Sequence, residues 1–398
     1  MKIKILTVLI IALLGFIVLI SGCIDDKTSE SVYLETLDPH NVTTTWDLSF
    51  IYDNKEEALM ELEALNQESE SLNETFRPQF EALNGNILLH FLEAEKAFLS
   101  SIDNLWTFAY AHNSLNVTDA FYETFLADIQ DLATKHEKDT SFATVKLSSL
   151  SNDEWNSMFD EEAGLDGYRA YLESNYIRFA DHRPQNESHV AYLADLSNQQ
   201  MKLETEALKE ITTNVTMAGN ITLENGNDYS INAQSYYALL STDTNRNNRK
   251  KGYDKRLYHL INESDRMAQL YTGKARLDDR YARELNYSDA YEAKLFGSYL
   301  TKEQIDEMNA VFKERKDVFE PYNEFRKHKL ALDQLRPYDL FVQLMEEPDR
   351  QYNYTDALIE IQASYAHMGP EYNDIFLETV TGNYIDVYPD PEGGKQPG

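Results

Sequence analysis

Apolar residues recur along most of this chain at the three-and-four spacing of a helix face. Between residues 55 and 66 the pattern places Ala58, Leu59, Leu62 and Leu65 on one side. Residues 87–110 repeat it with Leu88, Phe91, Leu92, Phe98, Ile102, Leu105, Trp106 and Ala109, and residues 119–136 with Tyr122, Phe125, Ile129, Leu132 and Ala133. Ser151 followed by Glu154, and Thr301 followed by Gln304, have the spacing of capping boxes, in which each side chain satisfies the other residue's backbone N–H. Beyond Thr301 a helical stripe continues through Ile305, Met308, Phe312 and Phe319. A further helix over 355–368 is expected to stop at Gly369-Pro370, since glycine takes the left-handed cap and proline cannot continue. Only Ile221 to Ile231 alternates, around Asn225-Gly226, the mark of a tight hairpin turn. The expected fold is mainly α: a multi-helix bundle with one small β-hairpin near 221–231.

The N-terminus predicts a location. Lys2 and Lys4 precede an apolar run, Ile5 to Ile20, which is short for a membrane span of about 20 residues and suits a signal-peptide core. It ends Leu19-Ile20-Ser21-Gly22-Cys23, small residues before the chain's single cysteine, as in a lipobox. Residues 1–22 are therefore expected to be a lipoprotein signal peptide, with Cys23 acylated as the new N-terminus. The polar stretch 23–44 is expected to be a tether holding the body at the extracellular face of the cell membrane. Asn-X-Ser/Thr acceptors for N-glycosylation fall at nine positions: Asn41, Asn73, Asn116, Asn186, Asn214, Asn220, Asn262, Asn286 and Asn353. Composition alone would give roughly four.

Composition then removes whole classes. A hydrophobic share of 42% with 26 Tyr and 18 Phe is too much core-forming side chain for a disordered chain. Only 15 Gly and 10 Pro argue against a sandwich or barrel, which spends both on turns. With 68 acidic and 36 basic residues, net −32, the chain repels phosphate backbones, so nucleic acid is excluded as a partner. Acidity, lipobox and acceptor sites together point to an archaeal cell surface. One cysteine permits neither an internal disulfide nor a cysteine-based zinc site.

The chemistry is marked by what is missing. There is no Gly-rich phosphate loop and no Gly-X-Ser-X-Gly elbow. A zincin helix needs two imidazoles one turn apart with a glutamate to activate water. The nearest approach is His136-Glu137-Lys138-Asp139-Thr140, where threonine replaces the second histidine, so His136 reads as a solvated helix residue. His182 and His189 are separated by Arg183-Pro184-Gln185-Asn186, a loop sequence that keeps them off one helix face. Arg246, Arg249, Lys250, Lys251, Lys255 and Arg256 crowd together, and in so acidic a chain this reads as a helix face paired with acidic neighbours. No catalytic and no metal-ligating residue is assigned.

Five landmarks in order carry a resemblance. The body opens Thr45-Trp46-Asp47-Leu48-Ser49-Phe50-Ile51-Tyr52 before a charged helix, and the hairpin leads into Tyr236-Tyr237-Ala238-Leu239-Leu240-Ser241-Thr242-Asp243 and the Arg249 region. Then come Ala282-Arg283-Glu284-Leu285 with Tyr287-Ser288-Asp289-Ala290, followed by Leu332-Asp333-Gln334-Leu335-Arg336-Pro337-Tyr338-Asp339-Leu340. Ile385-Asp386-Val387-Tyr388 and Gly394-Lys395-Gln396-Pro397-Gly398 close the series. Together they resemble oligoendopeptidase F, among the thimet-oligopeptidase-like zinc metallopeptidases, over its N-terminal two-thirds.

The resemblance implies an N-terminal helical domain over 45–205 and the first part of the metallopeptidase helical domain over 206–398. It also implies helices walling a channel that admits short peptides, and zinc-dependent hydrolysis of those peptides by the full-length enzyme. In the family, His-Glu-X-X-His follows the closing landmark. The chain is therefore expected to be truncated before its zinc motif, to be inactive alone and to bind no metal. Helices 301–319 and 355–368 would then lack the partner that buries their apolar faces. The alternative is an extracellular helical lipoprotein that binds peptides without cleaving them.

Overall fold

The computed structural model describes residues 35–211, 215, 217–345, 352–388 and 395. Residues 1–22 (expected to be a signal peptide), Cys23, the first part of the expected tether, Asn214 and most of the Gly394–Gly398 landmark lie outside the described residues. Two units are present: residues 47–345 belong to one, and residues 35–46 with 352–387 to the other. Among the described residues, no helix is long and apolar enough to cross a membrane.

In the larger unit, α1 (Lys55–Phe76), α2 (Gly85–Leu115), α3 (Ala120–Asp139), α4 (Ser141–Ser149) and α5 (Asn152–Glu161) enclose one apolar core. All but α4 start where a side chain replaces a missing helical acceptor. Asn54 caps α1 by accepting from the Glu57 N–H at 2.9 Å, Asn84 caps α2, and Ser151 and Glu154 form the anticipated capping box on α5. The buried stripe of α1 is Ala58, Leu62, Leu65, Ser69, Leu72 and Phe76. That corrects the expected face: Leu59, one residue and about 100° off this stripe, is 42% exposed. On α2 and α3 the expected faces are core, with Leu88, Phe98, Leu105, Phe125 and Ile129 among the most buried. Phe80, Phe91 and Phe142 meet edge-to-face with centroids 5.0–6.1 Å apart, the arrangement their ring quadrupoles favour.

After the short α6 (Arg169–Leu172) comes α7 (Glu187–Glu210), which packs on both α3 and the later helix Arg246–Glu284. The 205/206 border read from sequence falls inside this continuous helix. β1 (Gly219–Thr222) and β2 (Asp228–Ile231) pair antiparallel with Ile221 opposite Tyr229. The turn is longer than the two-residue type that Asn-Gly suggests. Leu223 N–H donates to Asn227 O, Gly226 N–H donates to Leu223 O, and Gly226 alone takes positive φ, +88°. This is a three-residue loop with a glycine bulge.

α8 (Ala233–Thr242) and the 39-residue α9 (Arg246–Glu284) follow. A Cβ on Gly252 of α9 would stand 2.4 Å from Leu239 Cδ2, so glycine is what lets α9 approach α8. α10 (Ala290–Gly297) precedes α11 (Lys302–Glu314), which opens on the anticipated Thr301–Gln304 capping box, and α12 (Phe319–Lys329). A 3-10 turn, Arg315–Val318, breaks the single helix expected over 301–319. Met308, Val311, Phe312, Phe319, Tyr322 and Phe325 on these two helices are exposed.

The smaller unit contains α13 (Tyr354–Tyr365) and α14 (Pro370–Thr381). Gly369 separates them with φ +95° and ψ 173°, a glycine-only region rather than the expected left-handed helical cap, and Pro370 opens the next helix. Residues 35–44, the last part of the stretch read as a tether, run along these helices. Leu37 packs with Leu358, Phe376 and Val380; Thr43 N–H donates to Val380 O, and Trp46 Nε1–H to Tyr384 O at 2.7 Å.

Candidate functional site

Two of the five landmarks, the segment ending at Asp243 with the Arg249 region and the segment ending at Leu340, meet at one buried carboxylate. Asp339, in the Pro337–Asp339 turn, accepts from Arg246 Nη2 at 2.8 Å, from Arg249 Nη2 at 2.9 Å and from its own turn's Arg336 N–H at 3.0 Å. Arg249 also donates to the carbonyls of Asp243, Thr244 and Tyr338. Arg326 on α12 joins from the other side, with Nε 2.9 Å from Asp339 O and a second contact to Val342 O. Burial works to raise the Asp339 pKa, but hydrogen bonds from Arg246 and Arg249 outweigh it and hold the carboxyl below the ordinary range. Every oxygen of this carboxylate is engaged, so the cluster fixes the start of α9 against α12 and the 337–339 turn. The Asp339 carboxylate itself is fully buried.

Elsewhere in the basic run, Lys250 and Lys251 pair with carboxylates, and Arg256 donates to Val215 O. Lys250 Nζ lies 2.5 Å from Asp254, and Lys251 Nζ lies 2.7 Å from Glu224 while also donating to Thr222 O. The run thus divides between a buried clamp at Arg249 and a surface face.

His136 is a correction: it is buried, not solvated. Its ring stacks on Phe98 with centroids 3.8 Å apart. Nδ1 is 3.2 Å from Ser69 Oγ and Nε2 is 3.1 Å from Glu95 Oε1, a layout like a serine hydrolase triad. The proton count argues otherwise. Ser69 donates its single proton to Asp139 at 2.7 Å, so toward His136 it can only accept. Ser69 is also 0% exposed. The serine is spent as a hydrogen-bond bridge between α1 and α3.

His182 and His189 are anchored to the same stretch by different means. His182 Nδ1 donates to Leu285 O at 2.9 Å and its ring stacks on Tyr287 at 3.7 Å. His189, on α7, lies 3.5 Å from Glu284 and accepts from the Gln185 N–H. They tie α7 and the loop before it to the C-terminus of α9. No group of three or more His, Cys, Asp or Glu able to hold a metal ion occurs among the described residues. The residues present therefore do not fit a zinc centre, and no catalytic step is assigned to them.

The glycosylation candidates have structural positions of their own. Asn186 caps α7, Asn116 accepts from both the N–H and the hydroxyl of Thr118, and Asn353 accepts from the Asp356 N–H. Asn73 accepts from Arg77 Nε, and Asn286 takes φ +63° past the end of α9. Asn41 ends a 3-10 turn, Asn220 pairs with Ser230 in the hairpin, and Asn262 lies on α9. Sequence reading missed Ser69, Glu95 and Arg326, which have no motif around them. Asp339 lay in a quoted landmark, though its role did not show.

Comparison with known proteins bears on the sequence and on the fold. The chain is 24% identical over 357 residues to oligopeptidase PepF of Bacillus subtilis, covering 86% of this chain and 50% of the relative. It is 22% identical over 349 residues to an oligoendopeptidase F homolog of Lactococcus lactis, covering 86% of this chain and 56% of the relative. The crystal structure of oligoendopeptidase-F from Enterococcus faecium superposes with a TM-score of 0.66 at 19% identity, over 81% of this chain and 60% of that one. No family model matches. The chain spans about half the length of the curated relatives it matches. It resembles oligoendopeptidase F over most of its own length and shares the fold of the corresponding part.

Proposed function

We propose that these residues form the helical part of a zinc peptidase of the oligoendopeptidase F type that hydrolyses short peptides. The observation that carries the reading is the 357-residue similarity to PepF running through the Asp339 clamp. Two of the sequence landmarks, the Arg249 region and the segment ending at Leu340, are joined by that clamp. The zinc-binding residues of such an enzyme are to come from polypeptide beyond these 398 residues, because His-Glu-X-X-His does not occur in them. Bound zinc would act as Lewis acid and lower the pKa of its water to about 7. The residues in hand would shape and hold the peptide-binding walls. The Leu19–Cys23 sequence supports attachment by a lipid on Cys23 at the outer face of the cell membrane.

The test is cleavage of internally quenched peptides by the 398-residue chain alone and together with a polypeptide, encoded beside it, that carries His-Glu-X-X-His. Chelator-sensitive cleavage only by the combination is expected. Cleavage by the chain alone would show that its own residues hold the metal. No cleavage by the combination would remove the peptidase reading.

A further inference from the structure

A cavity of about 640 Å³ opens between α5, residues 169–178 and Tyr299, within the size range of small-ligand sites. Two backbone irregularities build its wall. Residues Glu173–Ile177 continue α6 as a π-helix, a form frequent at functional sites. α10 ends in a Schellman motif, in which Tyr299 N–H donates to Phe296 O at 3.1 Å and Leu300 N–H to Leu295 O at 2.9 Å, with Tyr299 at φ +59°. Glycine is the usual occupant of that position because any Cβ there is strained.

The contact that accompanies this strained tyrosine is with a cation. The Arg178 guanidinium lies 3.7 Å from the Tyr299 ring centroid and 4.1 Å from that of Phe296. Among the described residues its side chain makes one hydrogen bond, to Phe296 O, and meets no carboxylate, although acidic residues outnumber basic ones 68 to 36. A guanidinium carries five N–H donors in a planar fork, and stacking on rings holds that plane while leaving its edge open. Arg178 and Arg169 both line the cavity, but Arg169 is paired with Asp166 at 2.9 Å and lies 3.8 Å from the Phe159 ring centroid. The opposite side is α5, which contributes the buried rings of Trp155 and Phe159 and the exposed amide of Asn156. Glu173 also lines the cavity but does not pair with Arg178, and a fixed guanidinium without a carboxylate partner, beside aromatic rings and an amide, is a donor set for a carboxylate attached to an apolar side chain and a peptide bond.

We infer that this cavity binds the C-terminal carboxylate of a short peptide, held by Arg178, with the last side chain against Trp155 and Phe159. The inference rests on the short-peptide reading above and adds the end of the peptide that is recognised.

The test is titration calorimetry of the full chain with a tripeptide ending in phenylalanine, as the free acid and as its C-terminal amide. The free acid is expected to bind about tenfold or more tighter, the scale of a charge-assisted hydrogen bond. Arg178→Gln should bring the acid down to the affinity of the amide and leave the amide unchanged. Asn156→Asp, at an exposed position that does not endanger folding, should weaken the acid but not the amide by placing a second carboxylate on the wall. Equal affinity of acid and amide, or a preference that survives both substitutions, overturns the site while leaving peptide binding intact. Binding of neither peptide overturns both the site and the short-peptide reading for this chain.

Discussion

Arg249 and Asp339 stand 90 positions apart in sequence and meet at 2.9 Å, with the arginine side chain 3% exposed and the aspartate 0%. A pair so enclosed is a joint whose two halves depend on each other. Its charges are tolerable only because Arg246, Arg336 N–H and three carbonyls complete the hydrogen bonding.

Asp339→Asn should therefore cost about 3–5 kcal/mol of unfolding free energy, because it strands the Arg249 charge inside the protein. Lys250→Ala, which removes a surface partner of Asp254, should cost no more than about 0.5 kcal/mol. Urea denaturation of both variants checks the contrast. Equal small losses would mean that the clamp is solvated.

Stability should fall at both ends of the pH scale for opposite reasons. The Asp339 carboxyl is depressed in the fold, so its contribution is present above the unfolded value near about 3.9 and is lost as pH drops through the folded one. Tyr52, Tyr122, Tyr281 and Tyr287 are pushed up to about 12, in each case chiefly by burial. Their contribution is complete below the unfolded value of about 10 and disappears as pH rises through about 12. Denaturation midpoints with phenolate absorbance should show the alkaline loss coinciding with late-titrating tyrosines. Titration of every tyrosine near 10 in the folded protein would contradict this.

Ser69 should resist organophosphonate labelling in the native protein, since its proton goes to Asp139 and its side chain is enclosed. Ser69→Ala should lower stability by about 1–3 kcal/mol by leaving His136 Nδ1 and Asp139 each short of a partner. Stoichiometric labelling of Ser69, measured by mass spectrometry, would restore the triad reading.

The face of α11 and α12 should bind a hydrophobic dye, because its apolar side chains are exposed together. Phe312 is 64% and Phe319 61% exposed. Replacing both by Glu should reduce dye fluorescence and change stability by no more than about 0.5 kcal/mol each. A loss above about 2 kcal/mol would place these rings in a core.

The sequence by itself determined the helices, their caps and the hairpin's place, because those depend on neighbours three or four positions away. Ser151 with Glu154, Thr301 with Gln304, and the buried stripes of α2 and α3 needed no distant partner to be read. What only tertiary structure decided is which polar residues lie inside. His136 is polar in composition and buried in fact because Phe98, Ser69 and Glu95 arrive from other helices to cover and satisfy it. Arg249 belongs to the same basic run as Lys250, yet one is enclosed and the other solvated, a difference of about 100° around α9 that matters only once the 337–339 turn is folded against it. Leu59 and Phe312 fail in the opposite direction. Periodicity marks a side chain as apolar, but burial requires a second surface, and the described residues provide none at either position.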